Sequence, residues 1–140
     1  MSREQRADKR MEEIILAIKG NDKVTLSSLF SMNALNEAND FDNELNSLFN
    51  YIQGDIVLWE RVSLATSERR QYGSRSLMIR FAIAISTDID DYRLYVIDYN
   101  IDNIEQDNEG LYMLEISKSS YSGGWDPWQD RMRAGIFIIE

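Results

Sequence analysis

Residues 76–102 constrain the fold more than any other part of the sequence, because large apolar side chains recur there at every second position. The first half carries them in one alternating series: Leu77, Ile79, Phe81, Ile83 and Ile85. A period of two with β-branched and aromatic residues predicts a strand whose apolar face is buried. The short acidic segment 87–91 leads into a second strand over residues 92–102. A connection of that length permits only an antiparallel pair.

Two amphipathic helices of matching pattern are predicted before these strands, over residues 7–18 and 41–52. Their apolar residues fall at i, i+4, i+7, i+8 and i+11: Ala7, Met11, Ile14, Ile15 and Ile18 in the first, and Phe41, Leu45, Leu48, Phe49 and Ile52 in the second. Each stripe forms one apolar helix face. Gly20 is predicted to close the first helix, and Asp40 and Gly54 to begin and end the second.

The remaining segments are shorter. Asn21 and Asp22 are predicted to cap a short helix, and residues 31–39 are predicted to be irregular. A further strand begins at residue 56 and is predicted to alternate, with Ile56, Leu58, Val62 and Leu64 on one face and Val57, Trp59, Arg61 and Ser63 on the other. Residues 68–75 and 103–110 are predicted turns, 111–119 a fourth strand, and 135–139 a possible edge strand.

These elements predict an α+β fold in which N-terminal helices pack on a curved antiparallel sheet of four to five strands. The 140 residues suffice for one domain, predicted to span residues 1–140. The longest unbroken apolar runs are five residues, so we expect no membrane insertion by this chain.

Charge and composition exclude several function classes. The net charge is −9, which disfavours nucleic acid and anionic membranes and favours a basic protein or a neutral partner. Eight acids lie between residues 88 and 109 against Arg93 alone, a balance of −7. The chain has no cysteine and no histidine, so thiol, disulfide and zinc chemistry are not expected. The glycines form no phosphate-binding spacing, and we expect no cofactor.

Several segments resemble a known family. They are residues 41–59, Leu29-Phe-Ser, Asn33-Ala-Leu, Gly110-Leu-Tyr, Trp128-Gln-Asp and Gly135-Ile-Phe. They resemble small bacterial lipoproteins of unknown function with the cone-shaped α+β roll of the nuclear-transport-factor-2-like, or cystatin-like, superfamily. The similarity covers about residues 7–137 and consists of packing and turn positions.

The resemblance implies the roll fold and a lipid-anchored extracellular protein, whose leader and lipid-bearing cysteine would precede Met1. A cytoplasmic location stays open, because this chain shows no secretory signal. The family has no assigned chemistry, so the resemblance supplies no catalytic residue.

Aromatic residues and one arginine form the candidate ligand-binding set: Trp59, Arg80, Tyr95, Tyr99, Trp125 and Trp128. Aromatic side chains at the open end of a roll can line a pocket for a small molecule. They can equally serve as core and loop anchors. Arg80 can meet a ligand anion, or it can form a salt bridge with Glu60 or Glu115 on a neighbouring strand.

Two further patterns in the sequence are typical of a calcium loop and of an acid–base site. Asp98, Asn100, Asp102 and Glu109 have the spacing of a calcium loop, but Asn103 stands where glycine is wanted and the preceding residues predict a strand, so we expect no metal site. Asp98 also follows Leu94 and Val96 on one strand face. There it could act as a base beside a tyrosine, as in ketosteroid isomerases of the same superfamily.

The sequence therefore leaves three functions open. The first is a non-catalytic ligand-binding or accessory domain, displayed at the cell surface. The second is an acidic inhibitor or immunity-type protein, whose acidic 88–109 segment captures a basic protein. The third is a lyase or isomerase that uses Asp98. We expect no enzyme activity.

Overall fold

The computed structural model describes residues 1–121 and 132–140. These contain four α-helices, namely α1 (Arg3–Lys19), α2 (Lys23–Ser28), α3 (Met32–Glu37) and α4 (Phe41–Tyr51), and a 3-10 turn at Gln106–Asn108. They also contain five strands, namely β1 (Ile56–Gln71), β2 (Ser74–Thr87), β3 (Asp91–Asp102), β4 (Gly110–Lys118) and β5 (Gly135–Ile138). The predicted α+β class and strand number are confirmed.

The five strands lie side by side in chain order, β1-β2-β3-β4-β5. The first four are antiparallel, and β5 runs parallel to β4. The sheet is therefore mostly antiparallel. The prediction of a wholly antiparallel sheet is wrong for its last strand.

Strand β2 is the centre of the core, as its alternation predicted. Its alternating apolar series is at most 1% exposed: Leu77, Ile79, Phe81, Ile83 and Ile85. Helix α1 lies against β1 and β2, and α4 lies against β5. Both helix stripes contribute to the same hydrophobic cluster as β2, so the two helices cover one face of the sheet.

Helix α1 begins with a capping box, in which the Ser2 hydroxyl accepts a hydrogen bond from the Gln5 amide and the Gln5 side chain accepts one from the Ser2 amide. Its C-cap is Gly20, as predicted, but Gly20 has an ordinary φ of −82°. The left-handed residue is Asn21, with φ +52°. Asparagine tolerates this conformation better than most residues.

Helix α3 contradicts the prediction that residues 31–39 are irregular. The Ser31 hydroxyl accepts a hydrogen bond from the Ala34 amide at 3.0 Å, which caps the helix. Ala34 is its only buried residue, so the six-residue helix has no apolar stripe that periodicity could detect.

Strand β1 contradicts the predicted alternation. Ile56 and Leu64 face the helices together with Trp59, whereas Leu58 and Val62 are 64% and 41% exposed. Register shifts lie between residues 56 and 58 and between 61 and 63. Each bulge adds a residue and reverses which side chains face the core.

The β1–β2 connection is also shorter than the predicted turn over residues 68–75. Gln71 pairs with Ser74, so the turn consists of Tyr72 and Gly73. The two strands therefore continue through most of the segment that was predicted to be a turn.

Glycine is required where β4 begins, because Gly110 packs against the backbone that joins α2 to α3. It has a φ of +132°, and an added Cβ would lie 2.7 Å from the Ser31 nitrogen. Leu111 then exchanges backbone hydrogen bonds with both sides of Phe30: Ser31 N donates to Leu111 O at 3.0 Å, and Leu111 N donates to Leu29 O at 2.9 Å. This bridge attaches the helices to the fourth strand.

Within the described residues, no helix is both long and apolar enough to cross a membrane.

Candidate functional site

A pocket lies where the end of α1, the end of α4 and the start of β1 meet. We call it the helix-end pocket and define it by its lining residues: Ile18, Lys19, Asn21, Phe49, Ile52, Gly54, Asp55 and Ile56. Its volume is about 380 Å³. Ile18 and Ile56 are buried, Phe49 and Ile52 are half-buried, and the polar residues are exposed. The pocket therefore has an apolar floor and a polar rim.

Two lysines stand over aromatic rings at this end of the molecule. The Lys19 ammonium lies 4.7 Å from the centroid of the Trp59 ring, and the Lys23 ammonium lies 5.8 Å from that of Phe49. Both distances fall within cation–π range. Among the described residues, neither ammonium has a carboxylate within ion-pair distance.

Trp59 is thereby connected to the pocket through Lys19, although it does not line the pocket itself. Its indole Nε1 donates a hydrogen bond to Glu12 Oε1 at 2.9 Å. The ring is fixed between α1 and β1, which restricts the position of the Lys19 side chain. Lys19, Phe49 and Ile52 were not predicted as site residues, because their proximity depends on how three element ends meet.

The structure does not bring the predicted ligand-binding set into one pocket. Trp59 pairs with Ile85 on the helix-covered face. Arg80, Tyr95 and Tyr99 lie on the other face, where Tyr95 pairs with Ala82 and Tyr99 with Met78. Trp125 and Trp128 lie outside the described residues.

Tyr99 lies at a different end of the sheet from the helix-end pocket, in a surface groove with Arg69, Met78 and Asp102. Burial raises the pKa of Tyr99, and the carboxylates of Asp102 and Glu37 raise it further. Its ring packs edge-on against Tyr112 with centroids 5.8 Å apart. Tyr99 therefore stays a neutral phenol and contributes to packing.

Glu115, one of the predicted partners of Arg80, is fully buried and accepts a hydrogen bond from Arg133 Nη2 at 3.3 Å. The Arg133 guanidinium carbon lies 3.7 Å from the centroid of the Phe137 ring. This ion pair joins β4 to the segment that leads into β5.

Asp98 is fully buried on the helix-covered face, and its partners are a guanidinium and an amide. Arg10 Nε donates to Asp98 Oδ2 at 3.1 Å, and Asn100 Nδ2 donates to the same oxygen at 2.8 Å. Arg6 in turn donates to Asn100 Oδ1 at 3.1 Å. The isomerase hypothesis needs Asp98 beside a tyrosine hydroxyl, and this arrangement is instead an ion pair that fastens α1 to β3.

Two carboxylates in the segment with the spacing of a calcium loop also accept hydrogen bonds from backbone amides. Asp102 Oδ1 accepts from the amides of Ile104 and Glu105, and Glu109 Oε1 accepts from the Asp102 amide. No group of three or more acidic, histidine or cysteine side chains in the described part of the chain could hold a metal ion.

The acidic 88–109 segment is divided between the two ends of β3. Asp88 and Asp90 lie in the turn before the strand, and Glu105 and Asp107 lie beyond its other end. The twelve residues of β3 separate them, roughly 40 Å of strand at about 3.3 Å per residue. A basic partner would therefore meet two separate acidic groups, an arrangement that does not favour the inhibitor hypothesis.

The family described as "Domain of unknown function (DUF5104)" matches residues 13–119, and the chain belongs to this family. The matched region begins in the second half of α1 and continues to the end of β4, so it includes the helix-end pocket. No curated protein matches the chain.

Proposed function

We propose that this member of the DUF5104 family is a non-catalytic domain that binds a small amphipathic anion in the helix-end pocket. One observation supports the proposal above the others: an apolar pocket is flanked by two ammonium groups that have no carboxylate partner among the described residues. Apolar walls with a few well-placed polar groups are typical of small-molecule sites.

The apolar part of the ligand would lie on Ile18, Phe49 and Ile52. At about 380 Å³ the pocket falls within the range of roughly 300–1,000 Å³ common for such sites. A short acyl chain or a single aromatic ring suits this space. Burial of that group would supply most of the affinity.

The anionic group would lie near Lys19 and Lys23. Lys19 is held over Trp59, so part of the entropy cost of ordering its side chain is met before the ligand arrives. Asp55 also lies on the rim and would repel a second anionic group. The ligand is therefore expected to carry one anionic end and one apolar end.

Octanoate is expected to bind, and the Lys19→Gln/Lys23→Gln variant is expected to bind it roughly tenfold more weakly. Each lysine is expected to contribute about 0.7 kcal/mol by attracting the octanoate carboxylate at an exposed site, and losing both contributions weakens binding about tenfold. The measurement is an NMR titration of the backbone amides with octanoate and, in parallel, with neutral octanamide. Shifts should be concentrated at residues 18–21 and 49–56.

Lys9→Gln is the matched control, because Lys9 is exposed on the same helix but lines a different cleft. It should bind octanoate like the unmodified protein. The proposal is overturned if the pocket amides do not shift. The assignment of the lysines is overturned if octanamide binds as tightly as octanoate, or if the double variant binds without loss.

We also propose the finer features that the sequence resemblance suggested: the cone-shaped nuclear-transport-factor-2-like roll, and a lipid anchor that holds the protein outside the cell. The placement of the four described helices before the antiparallel meander β1–β4 supports the roll. The anchor is tested by mass spectrometry of the protein purified from its native cell. An acylated cysteine preceding residue 1 is expected, and an unlipidated cytoplasmic protein would exclude it.

A further inference from the structure

The turn between β1 and β2 is at the opposite end of β1 from the helix-end pocket. Strand β1 has 16 residues, so about 50 Å of strand at 3.3 Å per residue separates the two places. Strand β3 pairs with β2 from Ser76 onward, so residues 70–75 have strand partners only in β1 and β2, and the Arg75 backbone also bonds to Asn103 just after β3. We call residues 69–75 the hairpin tip.

Tyr72 has an unusual conformation for its residue type. Its φ is +49°, that of Gly73 is +81°, and the two residues form the whole loop, the pattern of a type I′ turn. Such turns favour Asn-Gly, because a side chain with a Cβ carries a steric cost in the left-handed region. Tyr72 is nevertheless fully exposed at 100%.

Folding alone does not account for a tyrosine here. Tyr72 makes no ring contact and no side-chain hydrogen bond with any residue that the structure describes. A residue that costs stability and packs against nothing points to a role outside the fold.

Four arginines lie in the hairpin tip or next to it through Glu68: Arg3, Arg69, Arg70 and Arg75. Glu68 forms ion pairs with three of them, with its oxygens 2.8 Å from Arg3 Nη2, 3.2 Å from Arg70 Nη2 and 2.9 Å from Arg75 Nε. The contact with Arg75 lacks hydrogen-bond alignment. Arg69 is a fourth cation beside them. One carboxylate therefore gathers three of these four guanidinium groups at one end of a chain whose net charge is −9.

We propose that the hairpin tip is an interaction surface for a carboxylate-rich segment of a partner protein. Arginine and tyrosine are the residue types that most often dominate protein interfaces. Guanidinium groups bind carboxylates in a bidentate manner, and Glu68 already orients three of them. The exposed Tyr72 ring adds apolar contact area with few rotatable bonds.

A membrane surface suits the hairpin tip less well than a protein segment does. A membrane surface needs an extended apolar face in addition to basic groups, and Tyr72 is the one large apolar side chain of the tip. The overall charge of −9 repels every polyanion, a carboxylate-rich segment included, so the comparison of hexaglutamate with anionic vesicles and single-stranded DNA decides between these partners.

The test uses the full chain and a fluorescein-labelled hexaglutamate peptide, followed by fluorescence anisotropy. Tyr72→Asn is expected to raise the melting temperature by about 3 °C, because asparagine suits the turn, while binding weakens several-fold. Stability and binding then move in opposite directions, which a structural role of Tyr72 would not produce.

Arg70→Gln is expected to weaken binding about fivefold, since Arg70 is 74% exposed and interface arginines commonly contribute about 1 kcal/mol. Lys9→Gln removes the same charge from α1 and should leave binding unchanged. The proposal is overturned if hexaglutamate does not bind, if Lys9→Gln weakens binding equally, or if Tyr72→Asn binds normally. It is also overturned if phosphatidylserine vesicles or single-stranded DNA bind the tip more tightly than the peptide. None of these results affects octanoate binding at the other end of β1.

Discussion

Gly110→Ala is expected to lower the free energy of unfolding by about 3 kcal/mol or more. Two costs add. The φ of +132° is one that a residue with a Cβ rarely adopts, and the Cβ would lie 2.7 Å from Ser31 N and 2.9 Å from Leu29 O. These are backbone atoms, so no side chain can rotate away.

The structural consequence would be loss of the bridge between the helices and β4. Ser31 N and Leu29 O both bond to Leu111, the residue after Gly110. Moving them apart to admit the methyl group breaks at least one bond in a buried place, where an unpaired amide is costly. Chemical denaturation monitored by circular dichroism measures the change.

Gly73→Ala is the matched control, because it separates conformational strain from collision. Gly73 also has a positive φ, +81°, but no atom lies within 4 Å of an added Cβ. We expect a loss of about 1 kcal/mol from conformation alone. Equal losses in the two variants would contradict the close packing assigned to Gly110.

Arg10→Met is expected to lower the free energy of unfolding by about 3–5 kcal/mol. The Arg10 side chain is 14% exposed and Asp98 is fully buried, so the substitution leaves a carboxylate without its cation in a place that solvent does not reach. Asn100 would remain as one hydrogen-bond donor. A buried, uncompensated charge costs more than the pair contributes when intact.

The double variant Arg10→Met/Asp98→Leu tests this explanation. Removing both charges should recover most of the lost stability, since apolar side chains of similar size often replace buried ion pairs without penalty. Arg61→Met is the surface control: its pair with Asp8 is 21% and 51% exposed, and we expect a change of at most about 1 kcal/mol. A double variant as unstable as Arg10→Met would show that the charge is not the cause. The measurement is urea unfolding of all three variants.

The sequence predicted the core best where a strand is paired on both sides. Leu77 and Phe81 lie on β2, which is bonded along its length to β1 and β3, so strict alternation is preserved and period two identifies the buried face. In the described chain, strand β1 is paired on one side only. Its two bulges reverse which side chains face the core, so Leu58 and Val62 point to solvent. No local sequence signal marks either bulge.

The candidate site was less predictable, because it depends on where separate elements end. Lys19 is 30 residues from Phe49 in sequence, and they meet because α1 and α4 both stop near the start of β1. Trp59 was grouped with Arg80 and Tyr95 as a candidate ligand-binding residue, although those two lie on the other face of the sheet. Residue type suggested binding, and only tertiary structure assigns each residue to a face.

The bulges of β1 have a consequence for the behaviour of the protein at high concentration. Along this outermost strand, Val57, Leu58 and Val62 present apolar side chains to solvent beside backbone groups that no sixth strand bonds in the described chain. A regular strand of that composition is a template on which further copies could assemble into fibrils. The two irregularities at residues 56–58 and 61–63 interrupt the even spacing of those backbone groups within the same stretch. The two bulges thereby make ordered aggregation along this edge strand less favourable.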